Sequence, residues 1–314
     1  MMELSSLKHS PTLKTFRYSD LDLFRQAFRS VSVDFIPMCR TILAEQAILT
    51  LPGCDIYLTK TFPRLVDGNL FEGCTFVGLT MADGFPVRFN GVEKVRPALT
   101  IGGSGAGYKL LEGPNSYFAT ILFSPEITDR GWPIQSRNFF PCAISEFAEN
   151  QLRSVIRQAF LFAANGHDDV VASGAASGIV ETLLAAIDAA IEDAGTPDFE
   201  GIGTARRYFD IVQKIEGELD DDPGAPIYSQ ALASRIGVSV RTMHNAMQQY
   251  RGMSLHRYLR IKRLWAVRRQ LLSGSQMKIG ACAFANGFWH LGEFSQFYTA
   301  HFGETPSQTI SRAR

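Results

Sequence analysis

The chain has 314 residues with 31 acidic and 31 basic side chains, so its formal net charge is zero. Its hydrophobic content of 46% and charged content of 20% are typical of a folded globular protein, and a chain of this length is expected to form two domains. We find no apolar run of the roughly 18 residues that cross a bilayer and no apolar core of a signal peptide, so we predict a cytoplasmic protein without membrane contact.

The five cysteines are odd in number and show no Cys-x-x-Cys spacing. This pattern favours reduced thiols and argues against structural disulfides and against a zinc site. The cysteines are Cys39, Cys54, Cys74, Cys142 and Cys282.

The N-terminal region begins with a predicted helix over 19–30, for which Ser19 is the expected N-cap. Segments rich in β-branched and aromatic residues follow, with turn formers such as Asp67-Gly68-Asn69 between them. Strands are predicted over 31–37, 54–62, 74–81, 85–89, 98–101, 107–111 and 117–123. Short strands at this spacing indicate a small β-barrel or sandwich.

Histidine is scarce in this region, where only His9 and His167 occur and neither falls in a predicted strand. Histidine is the usual ligand of a metal site in such a barrel. We therefore predict no metal, no cofactor and no enzymatic activity, and a metal-free effector pocket instead.

Arg25 and Arg29 form an Arg-x-x-x-Arg pair just before the first predicted strand. The pair resembles the arginine motif of PilZ domains, which bind cyclic di-GMP through guanidinium stacking and pairing. The second PilZ element is present only in altered form, as Gly102-x-Ser104-x-x-Gly107. The resemblance implies an effector site at Arg25, Arg29 and Ser104 with cyclic di-GMP as the candidate ligand. A sugar or another metabolite, or a chance arginine pair, is the alternative.

Two segments after the strands, 145–165 and 175–194, have the periodicity of amphipathic helices. Residues 195–203 are typical of a hinge, and a further helix is predicted over 204–219. The helical pattern then continues to the C-terminus.

The last quarter of the chain contains two predicted helix-turn-helix units. In the first, a helix over 229–236 is followed by Gly237 and by Ser239, a natural N-cap for a helix over 240–250 with a polar outer face. A long helix from Ser254 to about 272 would span roughly 28 Å, close to one turn of DNA. The second unit pairs a helix over 277–285 with one over 289–301.

The runs RGMS (251–254), YLRIKRL (258–264), IGACAFANGF (279–288) and FSQFYTAHFGETPS (294–307) resemble the paired helix-turn-helix domain of AraC/XylS regulators. The resemblance implies a bacterial regulator, more often an activator, that binds promoter DNA and recruits RNA polymerase. It also implies a cupin-like N-terminal barrel and a homodimer. The two helices at 145–165 and 175–194 then either form the dimer interface or pack on the barrel.

Transferred position by position, the base-reading residues of the first unit are Arg241, His244 and Asn245, and Gln248 shares their polar face. Those of the second unit are Leu291, Gly292 and Gln296. Leu291 and Gly292 depart from the polar residues common there, which favours contacts with thymine methyls or with the DNA backbone alone. Gln270 stands where the long helix usually has a leucine.

Charge agrees with a DNA-binding domain. Residues 228–314 hold 12 basic and 2 acidic side chains, a balance of +10, and the remaining residues carry −10. A strongly basic domain is the electrostatic signature of a phosphate binder. The predicted phosphate contacts are Arg251, Arg257, Arg260 and Lys278.

These observations predict an α+β protein with an N-terminal cupin-like β-barrel and flanking helices, and an all-α C-terminal domain with two helix-turn-helix units. Residues 1–195 are the effector-sensing and dimerisation domain, 196–227 the hinge and first helix of the DNA-binding domain, and 228–314 the double helix-turn-helix. The predicted function is sequence-specific transcription regulation controlled by a small molecule. A ligand-independent DNA-binding regulator is the alternative.

Overall fold

The computed structural model of the chain forms two compact units. One comprises Met1–Phe35 and Thr41–Ile202, and the other comprises Ile36–Arg40 and Gly203–Arg314. The structure describes residues 2–28, 31–82, 87–93, 97–125, 130–134, 141–165, 174–194, 202–221, 224–273 and 277–313. Within those ranges, no helix has the length and apolar character needed to span a membrane.

The first unit contains two β-sheets whose register-matched strand pairs are antiparallel. The seven-stranded sheet has the order β1-β3-β4-β11-β6-β9-β12, and the five-stranded sheet has the order β2-β5-β10-β7-β8. The strands are β1 (Leu13–Tyr18), β2 (Val31–Pro37), β3 (Ala44–Leu51), β4 (Cys54–Thr61), β5 (Arg64–Leu70), β6 (Thr75–Thr80), β7 (Val87–Phe89), β8 (Val92–Glu93), β9 (Ala98–Gly102), β10 (Gly107–Glu112), β11 (Ser116–Phe123) and β12 (Pro141–Ala143).

Three helices accompany the sheets: α1 (Leu21–Gln26), α2 (Glu146–Ala164) and α3 (Ala175–Asp193). Apolar side chains of α2 and α3, such as Ile156 and Ile187, share one buried cluster with Leu49, Ile56 and Ile121 of the seven-stranded sheet. The two helices therefore pack on the sheet, as one of the two interpretations predicts. Whether they also form a dimer interface stays a prediction.

The first helix is shorter than its sequence predicts and uses a different cap. The Oδ1 atom of Asp20 accepts hydrogen bonds from the backbone N–H groups of Asp22 and Leu23, each at 2.9 Å. The expected cap at Ser19 is wrong because the carboxylate of Asp20 satisfies these donors and fixes the helix start one residue later.

All five cysteines lie in the described part of the chain, where none forms a disulfide. Burial, and secondarily the negative charge of Asp55, raises the pKa of the Cys54 thiol to about 12. Burial also raises the pKa values of Cys39, Cys142 and Cys282. A reactive thiolate needs a depressed pKa, so these four sites do not favour redox sensing.

The second unit is helical. Its helices are α4 (Ile202–Asp221), α5 (Ser229–Arg235), α6 (Val240–Arg251), α7 (Leu255–Leu272), α8 (Ile279–Ala285), α9 (Leu291–Phe302) and α10 (Pro306–Ala313). An α+β chain with a sheet-containing N-terminal unit and an all-α C-terminal unit is therefore confirmed. The cupin-like classification of the sheets stays a prediction.

Gln270, the unusual residue of the long helix, connects α7 to the turn that follows α8. Its Oε1 atom accepts hydrogen bonds from the Nδ2 of Asn286 at 3.0 Å and from the Sγ of Cys282 at 2.9 Å. Asn286 precedes Gly287, which has a positive φ of 76° at the turn. A leucine at 270 could accept neither bond, so the glutamine has a local structural role.

Candidate nucleic-acid interface

The first helix-turn-helix unit is formed by α5, a tight turn and α6. Gly237 takes a φ of 73° in the turn, where a side chain would be strained. The hydroxyl of Ser239 then accepts a hydrogen bond from the backbone N–H of Thr242 at 3.1 Å and caps α6. Both features follow the sequence prediction and fix the orientation of α6 relative to α5.

Helix α6 has one buried face and one exposed face. Met243, Ala246, Met247 and Tyr250 are buried. The side chains on the opposite face are the predicted base readers Arg241, His244, Asn245 and Gln248, and all four are exposed. This face offers a guanidinium, an imidazole and two amides, which are the groups that pair with base edges in the major groove.

The C-terminal end of α6 is held by α4. The hydroxyl of Tyr250 donates to the carbonyl oxygen of Ala205 at 2.6 Å. The Nε of Arg251 and the hydroxyl of Tyr258 donate to the same carboxylate oxygen of Glu216, at 2.9 Å and 2.8 Å. These bonds orient the reading face by fixing α6 to α4.

The predicted phosphate contact at Arg251 is wrong. Its side chain is fully buried, and its guanidinium forms an ion pair with Glu216 and lies 5.2 Å from the ring centroid of Tyr258. From the sequence alone, Arg251 is a basic residue at the end of a predicted helix, and its burial is not evident. The sequence pattern shows that Glu216 is an acid next to the buried stripe of α4 that contains Val212, Ile215 and Leu219, but it does not identify Arg251 as its partner.

The other predicted phosphate contacts lie on the surface. Arg257, Arg260 and Lys278 are exposed. The guanidinium carbon of Arg260 lies 4.0 Å from the ring centroid of Phe297 on α9, a stacking contact that orients its charge. Their contact with phosphate stays a prediction.

The second helix-turn-helix is formed by α8, the Asn286-Gly287 turn and α9. Phe294 and Tyr298 of α9 join Leu264 and Val267 of α7 and Cys282 of α8 in one buried cluster. Leu291, Gly292 and Gln296 lie on the exposed side, as predicted, and Leu291 is 40% exposed. The predicted start of this helix at Trp289 is wrong, because α9 begins at Leu291 and leaves Trp289 62% exposed before it.

The two candidate reading helices therefore differ in chemistry. The N-terminal turn of α6 presents Arg241, whereas that of α9 presents Leu291, Gly292 and the acidic Glu293. No side chain caps α9, since His290 makes no capping hydrogen bond. Of the two helices, α6 exposes more polar side chains that could form hydrogen bonds with base edges.

The residues proposed for cyclic di-GMP make contacts within the N-terminal compact unit, which holds the two sheets. Arg25 donates from Nη1 to Asp22 at 2.8 Å and from Nη2 to Asp34 at 2.7 Å. The exposed Ser104 accepts a hydrogen bond at its Oγ from the backbone N–H of Gly73 at 3.0 Å. Arg29 lies outside the described residues. These contacts do not test cyclic di-GMP binding, but a phosphate would have to compete with two carboxylates for Arg25.

One comparison with known proteins is located in the C-terminal helical unit. A family model described as a helix-turn-helix domain matches residues 232–312. The XylDLEGF operon transcriptional activator of Pseudomonas putida is 30% identical over 141 residues, which cover 44% of this chain and 40% of that protein. The HTH-type transcriptional activator RhaS of Escherichia fergusonii is 32% identical over 90 residues, which cover 29% of this chain and 32% of that protein.

Among solved structures, a probable AraC family transcriptional regulator from Rhodopseudomonas palustris CGA009 is 32% identical. The match covers 33% of this chain and 98% of that chain, with a TM-score of 0.32. The chain matches less than half the length of the two activators above. The family model places a helix-turn-helix domain at 232–312, and the activity of the whole protein is left to be proposed.

Proposed function

Because the C-terminal region of this chain is a helix-turn-helix domain of the AraC family, we propose that the protein is a sequence-specific transcription activator controlled by a small molecule. Its DNA-binding domain reads promoter DNA through α6 and, with fewer polar contacts, through α9. A small-molecule effector binds in the N-terminal compact unit. It changes the affinity for the operator by favouring one arrangement of the protein.

The observation that supports DNA reading best is the exposed polar face of α6. Arg241, His244 and Asn245 are exposed there, while the ion pair of Arg251 with Glu216 holds the helix from the other side. A rigid helix that presents such side chains suits base readout, because the side chains need little reordering on binding.

Activation is proposed because two of the relatives are named transcriptional activators. Recruitment of RNA polymerase, a homodimer and a cytoplasmic location belong to the same proposal. A regulator of this kind needs no catalytic centre, and no group of three or more potential metal ligands occurs among the described residues.

Arg241→Ala tests base reading by α6. We expect the variant to lose its preference for the operator over random duplex DNA, by about 10-fold to 100-fold, because a bidentate contact to a base contributes about 1–3 kcal/mol of discrimination. Binding to random DNA should stay salt-dependent and largely intact. Fluorescence anisotropy with both duplexes over a salt series measures the two quantities.

Arg257→Ala is the matched control, since Arg257 is an exposed arginine at the first turn of α7. We expect it to weaken binding to both duplexes equally. If Arg241→Ala also weakened both equally, Arg241 would be a phosphate contact and the proposed orientation of α6 would be wrong.

The identity of the effector is proposed from the Arg25 and Arg29 pair, with cyclic di-GMP as the candidate and a sugar or other metabolite as the alternative. Calorimetric titration of cyclic di-GMP into the full chain, and into Arg25→Ala and Arg29→Ala, distinguishes them. Binding that is lost in both variants supports cyclic di-GMP. The absence of heat with the wild type excludes it. An operator footprint that no metabolite changes would favour the ligand-independent regulator.

A further inference from the structure

The first compact unit contains a partly open cavity of about 100 Å³ between its two sheets. Its wall from the five-stranded sheet includes Val33, Val66 and Leu110, and its wall from the seven-stranded sheet includes Phe76 and Phe118. The cavity is larger than the space of a single water molecule, and its open side allows a ring-containing ligand to extend beyond it. Its apolar walls suit a small organic ligand better than a polar one.

The floor of the cavity is made by small side chains that are neighbours across strands. Gly78 on β6 pairs with Thr100 on β9 and with Thr120 on β11. The hydroxyl of Thr100 donates to the carbonyl oxygen of Gly78 at 3.2 Å. A side chain at 78 would collide with Thr100 and Phe76. The register therefore places three small residues in one row at the wall of the cavity.

Aromatic rings form one side of the cavity. The ring of Tyr108 stacks on Phe76 with centroids 6.1 Å apart and on Phe89 with centroids 6.0 Å apart. Their planes are tilted by only 22° and 20°. Parallel rings present a flat apolar surface, which favours a planar group in the ligand.

Several polar side chains interrupt the mostly apolar lining, among them the hydroxyl of Tyr117 and one ion pair. Arg64 on β5 and Glu112 on β10 are direct partners across the five-stranded sheet, and both line the cavity. The Nε of Arg64 donates to Glu112 at 2.8 Å, and its Nη2 lies 3.4 Å from the other carboxylate oxygen. Their side chains are 2% and 1% exposed. The sequence pattern does not predict this ion pair, because the two residues lie at the ends of different strands.

The third nitrogen of the guanidinium is buried without an acceptor. Nη1 of Arg64 has no hydrogen-bond partner among the described residues. The ring centroid of Phe35 lies 4.2 Å from the guanidinium carbon and that of Phe24 lies 5.0 Å from it, so apolar rings surround the group. Buried donors are almost always paired in native proteins, and an unpaired one calls for a partner that enters the site.

We propose that the cavity binds a neutral, ring-containing molecule with one hydrogen-bond-accepting oxygen, such as an aromatic ketone, and that this oxygen accepts from Nη1 of Arg64. The ring lies against Tyr108 and above the Gly78 floor. That such a ligand is the effector rests on the proposed function. The binding itself does not depend on it.

Charge disfavours an anionic ligand. Arg64 and Glu112 together have no net charge, so a neutral ligand leaves the buried site neutral. A carboxylate would add a second negative charge beside Glu112 in surroundings that solvate charge poorly. A hydrocarbon of the same shape would fill the cavity but leave Nη1 unpaired.

Calorimetric titration of the full chain with acetophenone, ethylbenzene and benzoate tests these distinctions. We expect acetophenone to bind at least about tenfold more tightly than ethylbenzene, because only the ketone supplies an acceptor to the guanidinium. Benzoate should bind more weakly than acetophenone. Val66→Phe should abolish binding of all three because the larger ring occupies the cavity.

The double variant Arg64→Met with Glu112→Met removes the ion pair and keeps the volume apolar. We expect it to bind acetophenone and ethylbenzene equally. The matched control is Arg153→Met with Glu149→Met, since this pair is also buried, with side chains 5% and 4% exposed, but does not line the cavity. It should keep the preference for the ketone.

Tighter binding of benzoate than acetophenone would overturn the proposed ligand class, and so would equal binding of the ketone and the hydrocarbon by the wild type. These outcomes do not depend on whether a variant folds. If none of the three probes bound while Arg241-dependent operator binding persisted, the cavity proposal would fail and the regulator proposal would stand.

Discussion

Arginines that look alike in the sequence have different roles at the level of single residues. Arg251 and Arg257 are six positions apart, yet Arg251 is fully buried against Glu216 and Arg257 is exposed. Sequence periodicity identifies the helices that hold them, but the difference depends on α4, which supplies the carboxylate. Pairing over 35 positions cannot be deduced from local pattern alone.

Arg251→Ala should destabilise the protein by about 3 kcal/mol, because it leaves the carboxylate of Glu216 without its buried partner. Urea unfolding followed by circular dichroism measures the loss. Arg257→Ala should change the free energy of unfolding by less than about 0.5 kcal/mol, as is usual for exposed positions.

One result would contradict the predicted destabilisation by Arg251→Ala. A stable Arg251→Ala variant whose operator affinity depends less steeply on salt would restore Arg251 as a phosphate contact. The buried ion pair with Glu216 would then have no role in stability.

At the scale of the elements, helices were easier to predict than strands. Helices α2, α3, α6 and α7 follow from a 3.6-residue apolar period and from capping residues such as Ser239 and Ser254, which make the expected bonds. Strand β3 was not predicted, because its sequence AEQAILTL (44–51) lacks the β-branched alternation that marks a strand. Pairing with β4 on one side and β1 on the other imposes its conformation.

Strand β5 (Arg64–Leu70) is absent from the sequence prediction for a different reason. The run Asp67-Gly68-Asn69 has the composition of a turn, yet it lies within β5. A Cβ at Gly68 would collide with the ring of Tyr108, its partner on β10. The glycine is there for the close approach of an aromatic ring, and a single sequence cannot distinguish that use from a turn.

The two candidate reading helices lead to a prediction about operator recognition. Asn245→Ala should reduce operator affinity more than Gln296→Ala, because Asn245 has exposed polar neighbours on α6 whereas Gln296 shares its face with Leu291 and Gly292. A loss of about 1–3 kcal/mol is expected for Asn245→Ala. Binding to a set of operators with single base-pair changes measures both losses.

Each variant should also lose discrimination only at the base pair that its residue contacts. A larger loss for Gln296→Ala than for Asn245→Ala would reverse the ranking. The second helix-turn-helix would then make the main base contacts, although α9 begins with Leu291 and Gly292.

At the scale of the whole molecule, the balanced net charge conceals an uneven distribution, and the structure reduces the apparent excess. Residues 228–314 carry +10. Helix α4 belongs to the same compact unit and lies just outside that count. Its acids pair with three of the basic residues: Glu216 with Arg251, Glu218 with Arg235 and Asp220 with Lys262. The cations free to meet phosphate are therefore fewer than the sequence count indicates.

The buried pair of Arg64 and Glu112 also constrains how this sequence can change over generations. Replacement of either residue alone would leave its partner charged and buried, and that intermediate would be selected against before a second change could arise. We therefore expect orthologues to keep both residues or to have replaced both. A lineage in which both became apolar would mark a switch in what its cavity recognises.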